Sequence, residues 1–595
     1  MCGIIACRTQ LPAIDYLLVA LRRLEYRGYD SVGVAVQTTT GDVARLRTVG
    51  RIGELERDVR DWAGPVLDGR GIGHTRWATH GAVTEGNAHP HADCDGRITL
   101  VHNGIIENAD VLRESLTAAG HHFASLVDSE VLCHLIEDEL RLRGDLMDAV
   151  QAALPRVEGS WALAVLEQGT GRLVVAAHRS PLIVARTAHG DFATSDVAAI
   201  ADWADRFHVL EDGDVVELTG RGRWRSQGVD VGAPVSIPCT LRHRDADLNG
   251  YADFMAKEID EQPAAAARVL DELGDGIADG SLWASLGMAP FERLQVIGCG
   301  TSLNAGFVIG HLARRLGGLP VRCVVGSEAA EEVWEPRTLC LAISQSGETA
   351  DVLDALAFRR ADESPLLALT NNTHSTLARR ADAFVPCVAG QEIGVAATKT
   401  FVCQVIAGAA VMISALVGTR RLSSSSAARL VDDLRRVPDQ LAGARTVADF
   451  LVPQIAEEVS TASGFLFLAR GSGLPYAAEG ALKLKELTYR WAESYPAGEL
   501  KHGPLALIEN GTPVVVIDDG DAKLACNIAE VEARGGRIIR IGRAGSTVPV
   551  VPDDVAPWGP LEAIIPLQVL ARSVALGLGR DVDKPRNLAK SVTVG

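Results

Sequence analysis

A unit that occurs twice in the second half of the chain limits the fold most. Leu294-Gln295-Val296-Ile297-Gly298 is an apolar run that leads into Cys299-Gly300-Thr301-Ser302. Gly464-Phe465-Leu466-Phe467-Leu468 leads in the same way towards Arg470-Gly471-Ser472-Gly473. Each reads as a buried strand that ends in a small-residue loop ahead of a helix. Strand–loop–helix repeats call for a parallel sheet, because parallel neighbours need a crossover that lays a helix on the sheet. Two such α/β domains are expected, at 285–425 and 455–595. The stretch from Leu422 to Val447, with its serine run and helical spacing, is expected to join them.

Residues 1–235 follow another pattern. Short strand-like runs such as Ile98–Val101, Trp161–Leu166 and Leu173–Ala176 dominate, with helical periodicity near 12–24 and 128–142. This predicts one mixed α+β domain. Residues 236–284 read as a polar linker followed by a connecting helix. A chain of 595 residues is too long for one core, which agrees with this division.

Phe401–Gly418 has no charged residue and just reaches the length of a membrane span. It contains Gln404 and Ser414 and stands alone among amphipathic segments, so a buried core helix is expected and no membrane partner. The net charge of −18 argues against nucleic acid, since phosphate backbones are bound by clustered Lys and Arg. One local pocket can still hold a small phosphorylated ligand. The 11 cysteines are scattered without a CxxC pair, which suits reduced thiols in a cytoplasm. The first basic residue, Arg8, follows a short apolar start with no long apolar region behind it, so no signal peptide is read.

Cys2 directly follows Met1. Removal of Met1 would leave a thiol and a free α-amine on one residue, a nucleophile beside a base. An incidental terminal cysteine is the plain alternative. Gly73–Gly81 carries Arg76, whose fork can grip a carboxylate. His74, His80, His89, His91, Cys94 and His102 raise the question of a metal site, but their spacings match no usual zinc pattern and no metal is expected. His102-Asn103-Gly104 follows a strand, where an Asn amide and a Gly N–H suit an oxyanion hole; an ordinary Asn-Gly turn is the alternative. Ser344-Gln345-Ser346-Gly347-Glu348-Thr349 lies between a strand and a helix and reads as an anion cradle, with Ser302 nearby. Lys483 and Glu486 are three apart on a helix, with His502 further on: a surface ion pair, or an acid–base set. The tail is apolar enough to dock and hold Lys590.

Taken in order, MCGI, RRLEYRGYDS, HTRWATHG, NAHPH, HNGIIEN, SQSGET, EIGVA, EGALKLKE, GELKHGPLALI and DKPRNLAKSVTV resemble the glutamine–fructose-6-phosphate aminotransferase family from Cys2 to Gly595. The resemblance implies an Ntn-type αββα glutaminase sandwich followed by two SIS-type sugar isomerase domains with parallel sheets. It implies Cys2 as nucleophile, Asn103 and Gly104 as oxyanion donors, and Arg76, Trp77, Thr79, His80, His89 and Asp128 around glutamine, with Arg27 in support. It implies Ser302, Ser344, Gln345, Ser346, Thr349, Val395 and Ala589 around the sugar phosphate. Lys590 would form the Schiff base, Glu486 would move the proton, Lys483 would steady negative charge and His502 would open the ring. The expected reaction converts fructose 6-phosphate and glutamine to glucosamine 6-phosphate and glutamate, with ammonia passed internally, no cofactor, and a homodimer in the cytoplasm. Leu303, Ala397 and Trp491 stand where the family usually has Tyr, Ser and His. They leave the reaction type intact and leave another keto-sugar phosphate acceptor open; a sugar-phosphate sensor is a second alternative, since SIS domains also serve as regulatory binding modules.

Overall fold

The computed structural model describes residues 2–78, 81–220, 222–239, 247–359 and 364–592. The chain divides into two units, Met1–Asp247 together with the tail from Ala589, and Leu248–Leu588.

In the first unit, alternation along each strand builds the layers. Ile4, Ala6 and Ile72 of an eight-stranded antiparallel sheet face Val101, Ala162, Ala164 and Val175 of a seven-stranded one, and these form one buried cluster between the sheets. Their neighbours Ile5 and Cys7 face the other way, onto Leu17, Leu21 and Leu24 of helix Ala13–Leu24. Leu100, Leu163 and Val165 turn outwards onto helices Glu130–Arg143 and Leu146–Ala153. A period of two on both sheets therefore gives helix, sheet, sheet, helix, the αββα sandwich expected. The first strand, Gly3–Thr9, lies inside its sheet between Gly190–Thr194 and Leu67–Arg76. A Cβ on Gly3 would stand 2.7 Å from Thr75 Oγ1 and 2.8 Å from Leu24 Cβ, so glycine is what lets the chain beside Cys2 lie this deep.

The second unit holds two five-stranded parallel sheets. Their strand orders are alike: Val321–Val325, Arg293–Gly298, Thr338–Ser344, Leu366–Thr370, Ala383–Pro386, and Trp491–Pro496, Gly464–Ala469, Pro513–Ile517, Arg537–Gly542, Val548–Pro549. In each, the chain goes to one side of its first strand and then crosses to the other. Ligands collect at such a switch point, beyond the carboxyl ends of the two central strands. In the first sheet those ends carry Ser302 and the Ser344–Thr349 loop.

Helix Lys399–Gly418, mean hydropathy 2.2, is buried, as the sequence predicts. It packs so closely on helix Gly300–Gly317 that a Cβ on Gly408 would lie 2.1 Å from Ile309 Cδ1. The joining helix, Ser424–Val459, runs past Val447 and contains Pro438 and Pro453. Leu434, Val437, Leu441, Ala444, Ala448, Val452 and Ile455 keep its apolar stripe alive beyond the expected end, in a core shared by both sheets. The connecting segment is two helices, Phe254–Asp260 and Gln262–Leu273, with Pro263 opening the second.

Candidate functional site

The first site forms where Gly3–Thr9, Leu67–Arg76 and Ile98–Ile106 end. Cys2 Sγ accepts a hydrogen bond from the Trp77 N–H at 3.2 Å. The Asp30 carboxylate accepts from the Ala78 N–H at 2.9 Å and so fixes the turn that carries Trp77. His74 reaches across the two sheets: its Nε2 lies 3.0 Å from both the His102 carbonyl and Asn103 Oδ1. Both are acceptors, so Nε2 carries the proton. Burial pulls the His74 pKa down to about 3, which keeps the ring neutral. With Oδ1 claimed by His74, Asn103 Nδ2 is turned to donate to the Cys2 carbonyl at 3.0 Å. Gly104 follows at φ +129°, where a Cβ would lie 2.0 Å from the Ser160 carbonyl. Asn103 and Gly104 thus present an amide and a backbone N–H from a glycine that no other residue can replace without shifting the strand.

Asp128 closes the group. Its Oδ2 accepts from the Ile106 N–H at 2.9 Å, tying the start of helix Glu130–Arg143 to the strand of Asn103. Ser129 Oγ lies 2.8 Å from His102 Nδ1 and 3.4 Å from His89 Nε2, and His89 stacks on His74 at 4.1 Å. Burial pushes the Cys2 thiol above its usual range; the Trp77 N–H and the Arg76 cation oppose this, while Asp128 adds to it. Arg76 and Asp128 therefore both act electrostatically at Cys2. The thiol rests protonated at neutral pH and needs a base before it attacks. Arg27 stands further back, in a buried ion pair with Asp196. Asp196 follows Thr194 and Ser195, which hold the Ile4 carbonyl and N–H at 2.8 and 2.9 Å. Thr79, His80 and Met1 lie outside the described residues.

The second site lies in the second unit. Ser344 closes strand Thr338–Ser344, and its Oγ accepts from the Gly347 N–H at 3.0 Å and pairs with Thr349 Oγ1 at 2.8 Å. Ser346 Oγ accepts from the Glu348 N–H at 3.1 Å. Gly347 has φ +65°, and a Cβ there would lie 2.0 Å from Ser375 Oγ. Ser302 Oγ accepts from Gln404 Nε2 at 2.9 Å, which anchors it to the buried helix. The Val395 N–H donates to the Asp583 carbonyl at 2.9 Å.

Lys483 is fully buried. Its Nζ lies 2.6 Å from Glu486, 3.4 Å from Glu479 and 3.1 Å from Thr301 Oγ1. Burial pulls its pKa down, but the Glu486 and Glu479 carboxylates outweigh this and hold it above the ordinary value. Glu479 also accepts from Asn304 Nδ2 at 2.8 Å and Thr301 Oγ1 at 2.9 Å, which joins the two α/β sheets through one charged cluster. The Lys483–Glu486 pair is real, but it is interior rather than a surface salt bridge. Glu479, Thr301 and Asn304 were not singled out from sequence, because their significance depends on two helices from different domains meeting. His502 is exposed at the end of Ala497–His502. Ala589 and Lys590 group with the first unit, and the tail before them is held by Tyr489, whose hydroxyl accepts from the Arg586 N–H at 2.8 Å and whose ring carries Arg586 at 4.4 Å. Leu303 is buried on helix Gly300–Gly317, whereas Trp491 is 81% exposed on an edge strand.

The glutamine amidotransferase domain family matches residues 74–202, and the SIS domain family matches 288–414 and 460–548. The glutamine–fructose-6-phosphate aminotransferase (isomerizing) of Pseudomonas putida is 42% identical over 627 aligned residues, covering 100% of both chains. That of Thermus thermophilus is 42% identical over 624, again covering 100% of both. The chain belongs to the glutamine–fructose-6-phosphate aminotransferase family. Among solved structures, the C-terminal domain of glucosamine-fructose-6-phosphate aminotransferase from Francisella tularensis matches with a TM-score of 0.52 and 34% identity, covering 57% of this chain and 99% of that one. The switch-point loops of this aminotransferase family member thus lie in the part matched by the SIS domains, and the Cys2 cluster on the glutamine amidotransferase side.

Proposed function

We propose that the chain transfers the amide nitrogen of glutamine to fructose 6-phosphate, forming glucosamine 6-phosphate and glutamate. The observation that carries this reading is end-to-end kinship in a chain that holds both half-sites. Cys2 Sγ attacks the amide carbon once Met1 is removed and the Cys2 α-amine takes the thiol proton. Asn103 Nδ2 and the Gly104 N–H then hold the oxyanion, each donor contributing about 3–4 kcal/mol. Ammonia leaves, and water hydrolyses the γ-glutamyl thioester to glutamate. Arg76 pairs with the glutamine α-carboxylate and Asp128 with its α-ammonium; Trp77, Thr79, His80 and His89 complete this pocket.

On the sugar side, Ser302, Ser344, Gln345, Ser346 and Thr349 hold the 6-phosphate, beside Val395 and Ala589. Lys590 forms the Schiff base with the open-chain ketose, His502 assists ring opening, and Glu486 carries the proton between C1 and C2. The interior ion pair with Lys483 supports that role, since it fixes the position of the Glu486 carboxylate. A homodimer in which His502 serves the neighbouring subunit agrees with its exposed position, and a cytoplasmic setting agrees with the eleven free cysteines.

The purified enzyme given glutamine and fructose 6-phosphate is expected to release glutamate and glucosamine 6-phosphate in equal amounts. Absence of the amino sugar overturns the reading. Leu303 and Ala397 favour testing a panel of keto-sugar phosphates beside it; clear preference for another member would move the acceptor but keep the reaction type.

A further inference from the structure

Cys94 has different neighbours from those its position in the sequence suggests. It lies in the turn before strand Ile98–Ile106, away from the His74, His89 and His91 stack, and faces His121 and His134 instead. Its Sγ is 3.6 Å from His121 Nδ1 and 3.6 Å from His134 Nδ1. Both nitrogens also meet one oxygen, Glu137 Oε2, at 3.1 and 3.2 Å. All four atoms lie within 4.8 Å of one another. Around a tetrahedral zinc with Zn–S near 2.3 Å and Zn–N or Zn–O near 2.0–2.1 Å, sulfur and nitrogen would be about 3.6 Å apart and nitrogen and oxygen about 3.4 Å apart. Four of the six edges of the cluster are therefore close to those of a zinc tetrahedron.

The surroundings point the same way. His121 Nε2 lies 3.1 Å from Asp138 Oδ1. If the Nε2–H donates a hydrogen bond to Asp138, the neutral ring's Nδ1 is left with a lone pair facing the Glu137 carboxylate oxygen and the Cys94 sulfur. Lone pair against lone pair is unfavourable unless a cation sits between them. A carboxylate on the outer nitrogen is also how metal-bound histidines are oriented. His134 has a second carboxylate too, with Glu130 Oε1 3.8 Å from Nε2. His121, His134 and Glu137 are almost wholly buried, and Cys94 caps them from the surface.

We propose that Cys94, His121, His134 and Glu137 bind one structural zinc ion. A sulfur, two imidazoles and one carboxylate suit zinc and disfavour magnesium or calcium. Four protein ligands close the shell, so the ion takes no part in amide chemistry. Binding releases the Cys94 thiol proton to solvent. The ion joins the 93–97 turn, the segment after helix Ala109–Ala118, and helix Glu130–Arg143. The first of these leads into the strand of Asn103 and Gly104, and the last follows Asp128. Metal spacing rules missed the set because its members come from a turn, a loop and a helix.

The test uses the full-length protein and needs no turnover, so its failure is separate from failure of the proposed reaction. Elemental analysis after dialysis is expected to find one zinc per chain, and cobalt substitution a thiolate-to-cobalt charge-transfer band. Stripping the ion with a strong chelator is expected to lower the melting temperature by several degrees, restored by added zinc. Cys94→Ser, at an exposed position that leaves the buried core intact, is expected to lose the band and hold zinc at least ten-fold more weakly. A folded protein that neither retains zinc nor takes it up on titration overturns the site, and so does a Cys94→Ser variant that binds zinc as tightly as the parent. In that case the cluster is a set of imidazoles hydrogen-bonded to carboxylates.

Discussion

The two proposed half-sites are built in opposite ways. On the glutamine side, Cys2, Arg76, Asn103 and Asp128 come from the ends of strands and the turn before a helix, far apart in the chain. They are aligned by side-chain hydrogen bonds that cross between sheets, such as His74 to Asn103 at 3.0 Å. On the sugar side the cradle is one short stretch, Ser344–Thr349, which organises itself through its own backbone N–H groups and hydroxyls. The first arrangement stakes much on each side chain. The second spreads its hold over main-chain groups, and is exposed instead to changes in backbone shape.

The strongest test of that separation removes the nucleophile. Cys2→Ala is expected to cut glutamate release on the order of 10⁶-fold, as loss of a covalent catalyst does. Sugar-phosphate isomerisation in the same variant should continue at the parental rate. Parallel loss of both activities would break the idea that the halves work as separable sites.

Lys483→Met probes the sugar side, where the charged cluster is interior. It strands Glu479 and Glu486 without their cation, and removing one partner of a buried pair costs about 3–5 kcal/mol. Urea unfolding of the variant should show the unfolding of the second unit shifted by that amount, with glutamate release intact. An unshifted transition would mean that water reaches the cluster. Asn103→Ala comes next: with the amide in its proposed oxyanion role, kcat for glutamate release should fall about 10²–10³-fold with KM for glutamine little changed. Ser344→Ala should do less and act elsewhere. It removes hydrogen bonds worth about 1 kcal/mol each, so KM for fructose 6-phosphate should rise several-fold while glutaminase kinetics stay put. Gly347→Ala, which forces a Cβ onto Ser375, should be worse than Ser344→Ala if backbone shape matters more than the hydroxyl.

The same contrast explains what could be read from the chain beforehand. Strand Arg293–Gly298 and the Ser344–Thr349 loop were legible because all their chemistry lies in consecutive residues. The αββα layering followed from the family likeness, and the strands Ile98–Ile106 and Leu173–His178 from their own patterns. Long-range partners were not legible. Nothing local to Lys483 says that Thr301 will meet it, and nothing local to His74 says that it will fix the Asn103 amide. The joining helix is expected only to Val447, whereas the packed stripe carries it through Pro453 to Val459. Cys94 was grouped with neighbours in sequence, and the fold gave it others.

A further expected effect is on stability against pH, and these groups act with opposite signs in the two units. In the first, burial holds His74 and His91 at about 3, against 6.5 in the unfolded chain. Between those values the unfolded state binds more protons, so stability is complete above pH 6.5 and falls as pH drops towards 3, by up to about 1.4 kcal/mol per pH unit for each ring. In the second unit, burial raises Glu562 from 4.5 to about 7. Here the folded state binds the extra proton, so this contribution is complete below pH 4.5 and is lost as pH rises through 7. Thermal unfolding followed from pH 4.5 to 6.5 should therefore show the first unit gaining stability while the Glu562 contribution to the second declines. His74→Gln keeps a donor for Asn103 and should weaken the first trend alone, leaving the His91 share; Glu562→Gln should flatten the second alone. If either substitution flattened both trends, the units would unfold as one, and the comparison between them would have to be drawn at the level of sites rather than domains.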